Sequence, residues 1–383
     1  MPSSDLKFLG LLSLVFFGYY VFFGDAESEL ESVSLRWYAP ILSPGGYSSE
    51  ALTFGLAFQE HLADLHSFGL IHHGDTASEK HVQNNLHGKE RALLNDVLIR
   101  YDVPDDSAID MRVNVCHSEP GAWHAPTPRY HTQRCPPPKS PSVRTLNVGR
   151  TMFETDSIPD GWVSRLNFMD EVWVPTAFQE EIMVLAGVAP EKLRVVPEPV
   201  ETSFYRPYDD EDDEDEREDE VPPPAVWKVE RSLLQSLRQY RRKGFTLFLF
   251  VGKWEERKGV RSLLRSFYQE FGVKERALLL VLTSAYHSSS DFDRQIDTIL
   301  REEGLLDNDE NGEGDAVKKR RKILLLNDLS QYAMPRLYSL ASALVIPSKG
   351  EGWGRPHVES MSCGTPVIAT NWSGPTAYLT EAN

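Results

Sequence analysis

Two glutamates with seven residues between them, Glu351 and Glu359, stand in a stretch reading Gly-Glu-Gly-Trp-Gly-Arg-Pro-His-Val-Glu-Ser-Met-Ser-Cys-Gly-Thr-Pro over residues 350–366. Carboxylates accept hydrogen bonds from hydroxyl groups. Gly352 and Gly354 flank Trp353, and their missing side chains let backbone N–H groups come close to a ligand. Arg355 adds a cation, and Pro356 suits the first turn of a helix, whose N-terminus favours negative charge. Phosphate donors beside hydroxyl acceptors are the chemistry that binds a sugar nucleotide. A second set of cations, Lys253 and Lys258, lies where the apolar run 245–251 ends and a helical pattern begins after Gly259. An ammonium group and a helix N-terminus placed there can act on one anion.

These residues need a frame of strands and helices to bring them together. The second half of the chain repeats one pattern, with apolar runs at 245–251, 277–283, 322–326 and 343–347 and helical segments between them. The first half does the same at 33–41, 68–72, 111–116, 146–152, 171–175 and 193–196, with a helix expected over 48–65 after a Pro-Gly-Gly-Tyr turn. Apolar strands alternating with helices read as an α/β fold, with parallel sheets covered on both faces. Gly45 and Gly46 make either a plain tight turn or one wall of a cleft. His117 follows the strand at 111–116 and either meets a substrate hydroxyl or is satisfied by neighbouring backbone. Residues 122–143, dense in Pro, Arg and His, form either an acceptor lid or a surface excursion.

At 383 residues, 41% hydrophobic and 25% charged, the chain is long enough for two domains and has a globular composition. A formal net charge of −17 argues against nucleic-acid binding. Residues 209–220 hold eleven acidic side chains and one Arg, which supplies −10 of that charge and leaves −7 for the rest. Such a block reads as a solvated, self-repelling linker, so its Asp-x-Asp matches are not taken as a metal site. The polar run 307–322 is expected to be disordered. Residues 8–23 are apolar or small, preceded by Lys7 and followed by acids, which reads as a single-pass signal anchor or a cleaved signal peptide. The anchor places the remainder in the lumen of the endoplasmic reticulum or Golgi, and cleavage makes the protein secreted. Cys116 and Cys135 either pair across one loop or remain separate thiols, and Cys363 reads as a packing residue.

The stretch at 350–366 resembles the donor-site signature of retaining glycosyltransferases of the GT-B fold, in particular family 4. The family pattern is a glutamate, seven residues, a second glutamate and a closing small-Cys-Gly-x-Pro-Val run, carried here by Cys363-Gly-Thr-Pro-Val-Ile-Ala369. The segment Gly252-Lys253-Trp254-Glu255-Glu256-Arg257-Lys258-Gly259 resembles the family's Gly-Arg-x-x-x-x-Lys-Gly. Lys253 stands where Arg is commoner, which keeps the charge and loses a bidentate phosphate contact.

The resemblance implies two Rossmann-like domains facing a cleft. It makes Glu351, Lys258 and His117 the catalytic set. Lys253, Lys258, Gly352, Trp353, Gly354, Arg355, Glu359, Gly45 and Gly46 become the donor set, with Glu351 on the transferred sugar and Glu359 on the ribose. It implies a membrane-anchored hexosyltransferase that takes a nucleotide diphosphate sugar, needs neither metal nor cofactor, and acts on a glycan, lipid or protein acceptor. Many retaining members use a same-face route without a protein nucleophile. The rival is a noncatalytic sugar-nucleotide or glycan-binding relative, favoured by Lys253. An epimerase would need another acid/base set and a phosphorylase a cofactor lysine.

By this reading residues 1–32 are anchor and stem, 33–200 the N-terminal acceptor domain, 201–243 an acidic and Pro-rich linker, and 244–383 the C-terminal donor domain. Family members continue through further helices beyond the point reached at Asn383, so the last domain is expected to be incomplete, in a fragment or a shortened relative.

Overall fold

In both halves of the chain the apolar runs become parallel strands. The computed structural model describes residues 32–61, 65–99, 109–123, 133–208, 227–285, 289–306, 319–326 and 329–382. Strands β1 (Val33–Ala39), β2 (Ser67–His72), β3 (Leu98–Ile99), β4 (Met111–His117), β5 (Arg144–Arg150), β6 (Glu171–Val174) and β7 (Leu193–Val195) form one sheet. Their order is β3-β2-β1-β4-β5-β6-β7, and every neighbouring pair is parallel. Helices α1 (Gly46–His61), α2 (Glu79–Asn84), α3 (Gly88–Val97), α4 (Trp162–Phe168) and α5 (Ala177–Ala186) lie among the connections. All seven residues of β4 are buried, as expected of a central strand covered on both faces. Trp37 of β1 packs against Phe54 and Phe58 of α1, with ring centroids 5.0 and 5.4 Å apart. Burying one such ring contributes about 1.5–3 kcal/mol. The packing fixes α1 on β1 and so holds the turn before α1 at the strand ends.

The second sheet contains β8 (Thr246–Trp254), β9 (Ala277–Ala285), β10 (Ile323–Leu326), β11 (Ala343–Ile346) and β12 (Val367–Ala369). It is again parallel throughout, in the order β10-β9-β8-β11-β12. Helices α6 (Trp227–Arg242), α7 (Val260–Glu270), α8 (Phe292–Glu302), α9 (Met334–Leu340) and α10 (Arg355–Ser362) accompany it. Leu234 and Leu237 of α6 join Phe204, Tyr205, Leu247 and Leu249 in one core. Two parts of the expected linker, around residue 204 and over α6, are therefore packed structure.

Each sheet starts in its middle and then builds outward in both directions. The order reverses between β1 and β4 in the first sheet and between β8 and β11 in the second. Ligands of open parallel sheets bind outside the carboxyl ends of the strands at such reversals. Gly45, Gly46 and His117 follow the first reversal, and Lys253, Lys258 and Glu351 belong to the second.

No helix among the described residues is long and apolar enough to cross a membrane. On that finding the expected single-pass placement in the endoplasmic reticulum or Golgi membrane, with a lumenal catalytic region, is corrected and is not carried forward. Residues 8–23, on which the expectation rested, lie outside the described residues, as do 124–132, 209–226 and 307–318. Cys116 and Cys135 are paired as a disulfide with their Cα atoms 5.7 Å apart, and Cys363 is free and buried.

Candidate functional site

After β8 the chain makes a single 3-10 turn (Glu256–Lys258) that Gly259 ends with φ at +70°. The turn aims Arg257 and Lys258 at the loop that follows β11. Lys258 Nζ donates to both carboxylate oxygens of Glu351, at 2.7 and 2.8 Å. Arg257 Nη1 donates to the Gly350 carbonyl at 2.6 Å and to Glu351 Oε2 at 3.3 Å. Its Nη2 lies 2.8 Å from Glu255 Oε1 and 3.4 Å from Glu154 Oε1 on the other domain. Burial alone would push the Glu351 carboxyl up, but Lys258 and Arg257 outweigh it and hold the group below the usual carboxylate range. Glu351 is therefore an anion at neutral pH. Its N–H donates to Ser373 Oγ at 2.9 Å, and its carbonyl accepts from the Gly374 N–H at 3.0 Å. Ser373 has φ at +62°, a conformation that costs a residue with a side chain about 1–3 kcal/mol.

Gly354, with φ at +97°, opens α10, and Pro356 occupies its first turn. One turn further on, Glu359 is buried and its Oε2 accepts from the Tyr338 hydroxyl at 2.9 Å. Burial raises its carboxyl while Arg355 and Tyr338 act in the opposite sense. Arg355 is turned away from the loop after β8. Its Nη1 donates to the Pro199 carbonyl at 3.2 Å and its Nη2 to Thr53 Oγ1 at 3.3 Å. Glu198 Oε2 lies 3.5 Å from Nη1, and Glu359 Oε1 lies 3.6 Å from Nε. Arg355, expected among the donor phosphate contacts, thus has its guanidinium engaged by protein groups on both domains. His357, one residue past Pro356, is buried with neither ring nitrogen hydrogen-bonded, and burial pushes its pKa down to about 4.

The glycines of the loop serve a close approach, though not to an open cleft. A Cβ on Gly352 would overlap the Met152 side chain, and one on Gly350 would overlap the Glu154 carbonyl. Both partners belong to the first domain, so the expected open cradle of backbone N–H groups is instead packed against β5's end, and residues 351–355 are buried. The Trp353 ring lies 4.9 Å from that of Tyr378, whose hydroxyl donates to the Trp353 carbonyl at 2.6 Å. Lys253 is exposed at the end of β8.

At the first reversal, Gly45 and Gly46 are exposed with open space where a side chain would go. The Tyr47 hydroxyl meets Thr151 Oγ1 and the Met152 carbonyl, both at 3.2 Å. His117 is fully buried. The Trp37 indole donates to its Nδ1 at 2.9 Å, and Glu50 Oε2 lies 2.9 Å from its Nε2. An indole N–H only donates, so Nδ1 is the acceptor and the ring proton sits on Nε2, facing Glu50. Arg150 holds the other Glu50 oxygen through Nε at 2.8 Å and Nη2 at 2.5 Å. Against burial, Arg150 and His117 keep the Glu50 carboxyl low. His117, expected in the catalytic set, is an internal residue with both ring nitrogens engaged by side chains. Among the described residues no group of three or more His, Cys, Asp or Glu is placed to hold a metal ion.

Residues 236–383, which contain the Lys258, Glu351 and Glu359 constellation, match the family described as glycosyl transferases group 1. That match spans the second sheet and the loop after it. Among its curated relatives, D-inositol 3-phosphate glycosyltransferase of Acidothermus cellulolyticus is 24% identical over 209 residues, 52% of this chain and 38% of that protein. O-antigen chain mannosyltransferase B of Escherichia coli is 30% identical over 138 residues, 36% of this chain and 32% of that protein. The chain thus spans well under half the length of both. In fold it is similar to Anabaena HepE, solved with UDP and glucose, at a TM-score of 0.56 and 13% identity over 91% of this chain and 83% of that one. A glycosyltransferase from Rickettsia africae gives a TM-score of 0.53 and 12% identity over 91% and 81%. The chain has the GT-B fold, with two Rossmann-like domains.

Within this site several residues escaped the sequence reading. Arg257 was visible as a cation next to Lys258, but the matched pattern passes over it. Nothing in the neighbours of Ser373 announces its bond to Glu351. Glu50, Arg150 and Glu198 meet only through folding.

Proposed function

We propose that this chain is a glycosyltransferase that moves a hexosyl unit from a nucleotide diphosphate sugar to a hydroxyl-bearing acceptor, with retention and without a metal or cofactor. The observation that carries the reading is the pairing of Lys258 with both oxygens of Glu351 at the reversal of the second sheet. A diphosphate arriving there competes with Glu351 for Lys258 and Arg257, and Lys253 adds charge at the mouth. Positive charge at the leaving diphosphate is the main requirement of such a transfer, since the departing group carries the developing negative charge. Glu351, released from its cations, is then free to accept hydrogen bonds from the sugar, and Glu359 from the ribose. Neither acts as a nucleophile in this scheme, and the departing phosphate takes the acceptor's proton. The HepE structure, solved with UDP and glucose on the same fold, supports a nucleotide sugar as the donor class.

The test is calorimetric titration of UDP-, GDP- and ADP-sugars into the full chain and into Lys258→Ala. One donor should bind the parent and bind the variant at least tenfold more weakly, a loss of about 1.4 kcal/mol. Absence of binding by every donor, or equal binding by the variant, overturns the reading. Release of nucleoside diphosphate in the presence of EDTA then separates a working transferase from a noncatalytic binder.

A further inference from the structure

Glu154 stands four residues beyond β5, on the first-domain wall that meets the loop 350–355. Its main chain is fixed from several sides. Gln179 of α5, fully buried, commits its whole side-chain amide to the preceding residue, accepting from the Phe153 N–H at 2.8 Å and donating to the Phe153 carbonyl. The Phe153 ring packs on Trp162 with centroids 5.1 Å apart, and the Tyr47 hydroxyl donates to the Met152 carbonyl. The Glu154 carbonyl comes up against the bare Cα of Gly350. A segment held this way beyond a strand end keeps its side chain in one place, as contact with a substrate requires.

The carboxylate on this support is little used by the protein. Among the described residues its one ion-pair partner is Arg257, whose Nη2 lies 3.4 Å from Oε1. Arg257 has nearer partners in Glu255 Oε1, at 2.8 Å, and the Gly350 carbonyl, at 2.6 Å, and partly exposed pairs of this kind contribute little. Glu351 and Glu359 are buried, whereas 37% of the Glu154 side chain is exposed. A sugar can therefore reach it with the domains seated as they are. Arg257 also touches Glu351 through Nη1, so one guanidinium bridges Glu154 and the carboxylate that the proposed function places on the donor sugar.

We propose that Glu154 is the acceptor-binding residue of this site and that the acceptor is a diol, a sugar whose hydroxyl next to the attacking one donates to the Glu154 carboxylate. The attacking hydroxyl keeps its own proton for the departing phosphate. Its oxygen bonds to the anomeric carbon, the bond from that carbon to the phosphate oxygen breaks, and the proton passes to that phosphate, so Glu154 ends the reaction as it began. Carboxylate oxygens accept from hydroxyl groups and repel phosphate, so a phosphate at this place on the acceptor is excluded. An alcohol with a single hydroxyl has nothing to offer Glu154. The assignment rests on the proposed function for its donor side.

The experiment uses the full chain, the nucleotide sugar from the UDP-, GDP- and ADP-sugar panel that binds it, and two kinds of acceptor. Methyl glycosides of mannose, glucose and galactose carry neighbouring hydroxyls, and N-acetylserinamide carries one. Release of nucleoside diphosphate is followed as acceptor concentration rises, and donor affinity is measured by calorimetry. At least one methyl glycoside should speed release by the parent, and by more than N-acetylserinamide does. Glu154→Gln and Glu154→Ala should raise the KM for that glycoside about tenfold or more, as loss of a hydrogen bond to a charged group does, while donor affinity does not fall. An unchanged KM in Glu154→Gln overturns the assignment. So does a loss of donor affinity as large as the acceptor loss, because it places Glu154 with the donor. N-acetylserinamide acting as well as every methyl glycoside overturns the diol. If Glu154→Ala does not fold, Glu154→Gln, which keeps the size of the side chain, carries the test alone. Donor binding with no response to any acceptor overturns the acceptor assignment by itself. If no nucleotide sugar binds the parent, the proposed function has failed and this assignment falls with it.

Discussion

Glu351 sits under two opposed pressures, burial that favours its neutral form and two cations that favour its anion, and the cations prevail. A carboxyl with a depressed folded pKa stabilises the native state above its ordinary pKa, near 4.5, and that contribution is lost as pH falls through the lower folded value. Lys258→Ala removes one partner of a nearly buried pair. It should cost about 2–3 kcal/mol at pH 7, the low end of such losses because Arg257 still faces the carboxylate. Thermal unfolding followed from pH 7 to pH 3 checks both points: the variant should begin lower and approach the parent as Glu351 is protonated. Ser373 raises a different question at the same scale. Ser373→Ala keeps the strained backbone but loses the acceptor for the Glu351 N–H, so about 1 kcal/mol of stability should go. Ser373→Gly loses the same bond and relieves the strain, and unfolding in urea should rank it above Ser373→Ala. Glu351, Glu359 and Lys258 were legible because their neighbours carry a recognisable pattern. Arg257 and Ser373 were not, because their roles depend on where a turn and a strained bond aim them.

Helix α10 brings together signals that a sequence can carry, since glycine before it, proline in its first turn and glycine after it mark both ends. What those signals leave open is which way each side chain faces. Arg355 turns to the crossing segment after β7, Glu359 to Tyr338, and His357 into a buried space where neither ring nitrogen is hydrogen-bonded. A histidine held neutral by burial stabilises the fold above pH 6.5, and that share is lost as pH falls from 6.5 toward about 4. His357→Leu should therefore flatten the acid side of the melting-temperature profile. Part of the slope will remain, because His73 and His81 are also pushed down to about 4 by burial. An unchanged slope in differential scanning calorimetry would count against a neutral buried ring. At the same scale, β3 is too short, at two residues, for any pattern to register.

Two parallel sheets, each reversing its strand order beside the first strand of its domain, were readable from alternating apolar runs because local periodicity determines such elements. The contacts between the sheets were not. Arg355 and Thr53 lie 302 residues apart, and no local pattern records a meeting at that distance. The disulfide was left open for a similar reason, since two cysteines separated by 19 residues can pair or not until the fold sets their Cα atoms 5.7 Å apart. Constraining a loop of that length stabilises a chain by about 3 kcal/mol. Cys135→Ser should lower the melting temperature by an amount that dithiothreitol reproduces in the parent and does not increase in the variant. The glycines at 350 and 352 reach furthest at this scale, because the first domain rests on the surface they leave bare. The gap between the domains is thus gauged by two absent methyl groups. An alanine at either position works as a shim, changing how the halves seat.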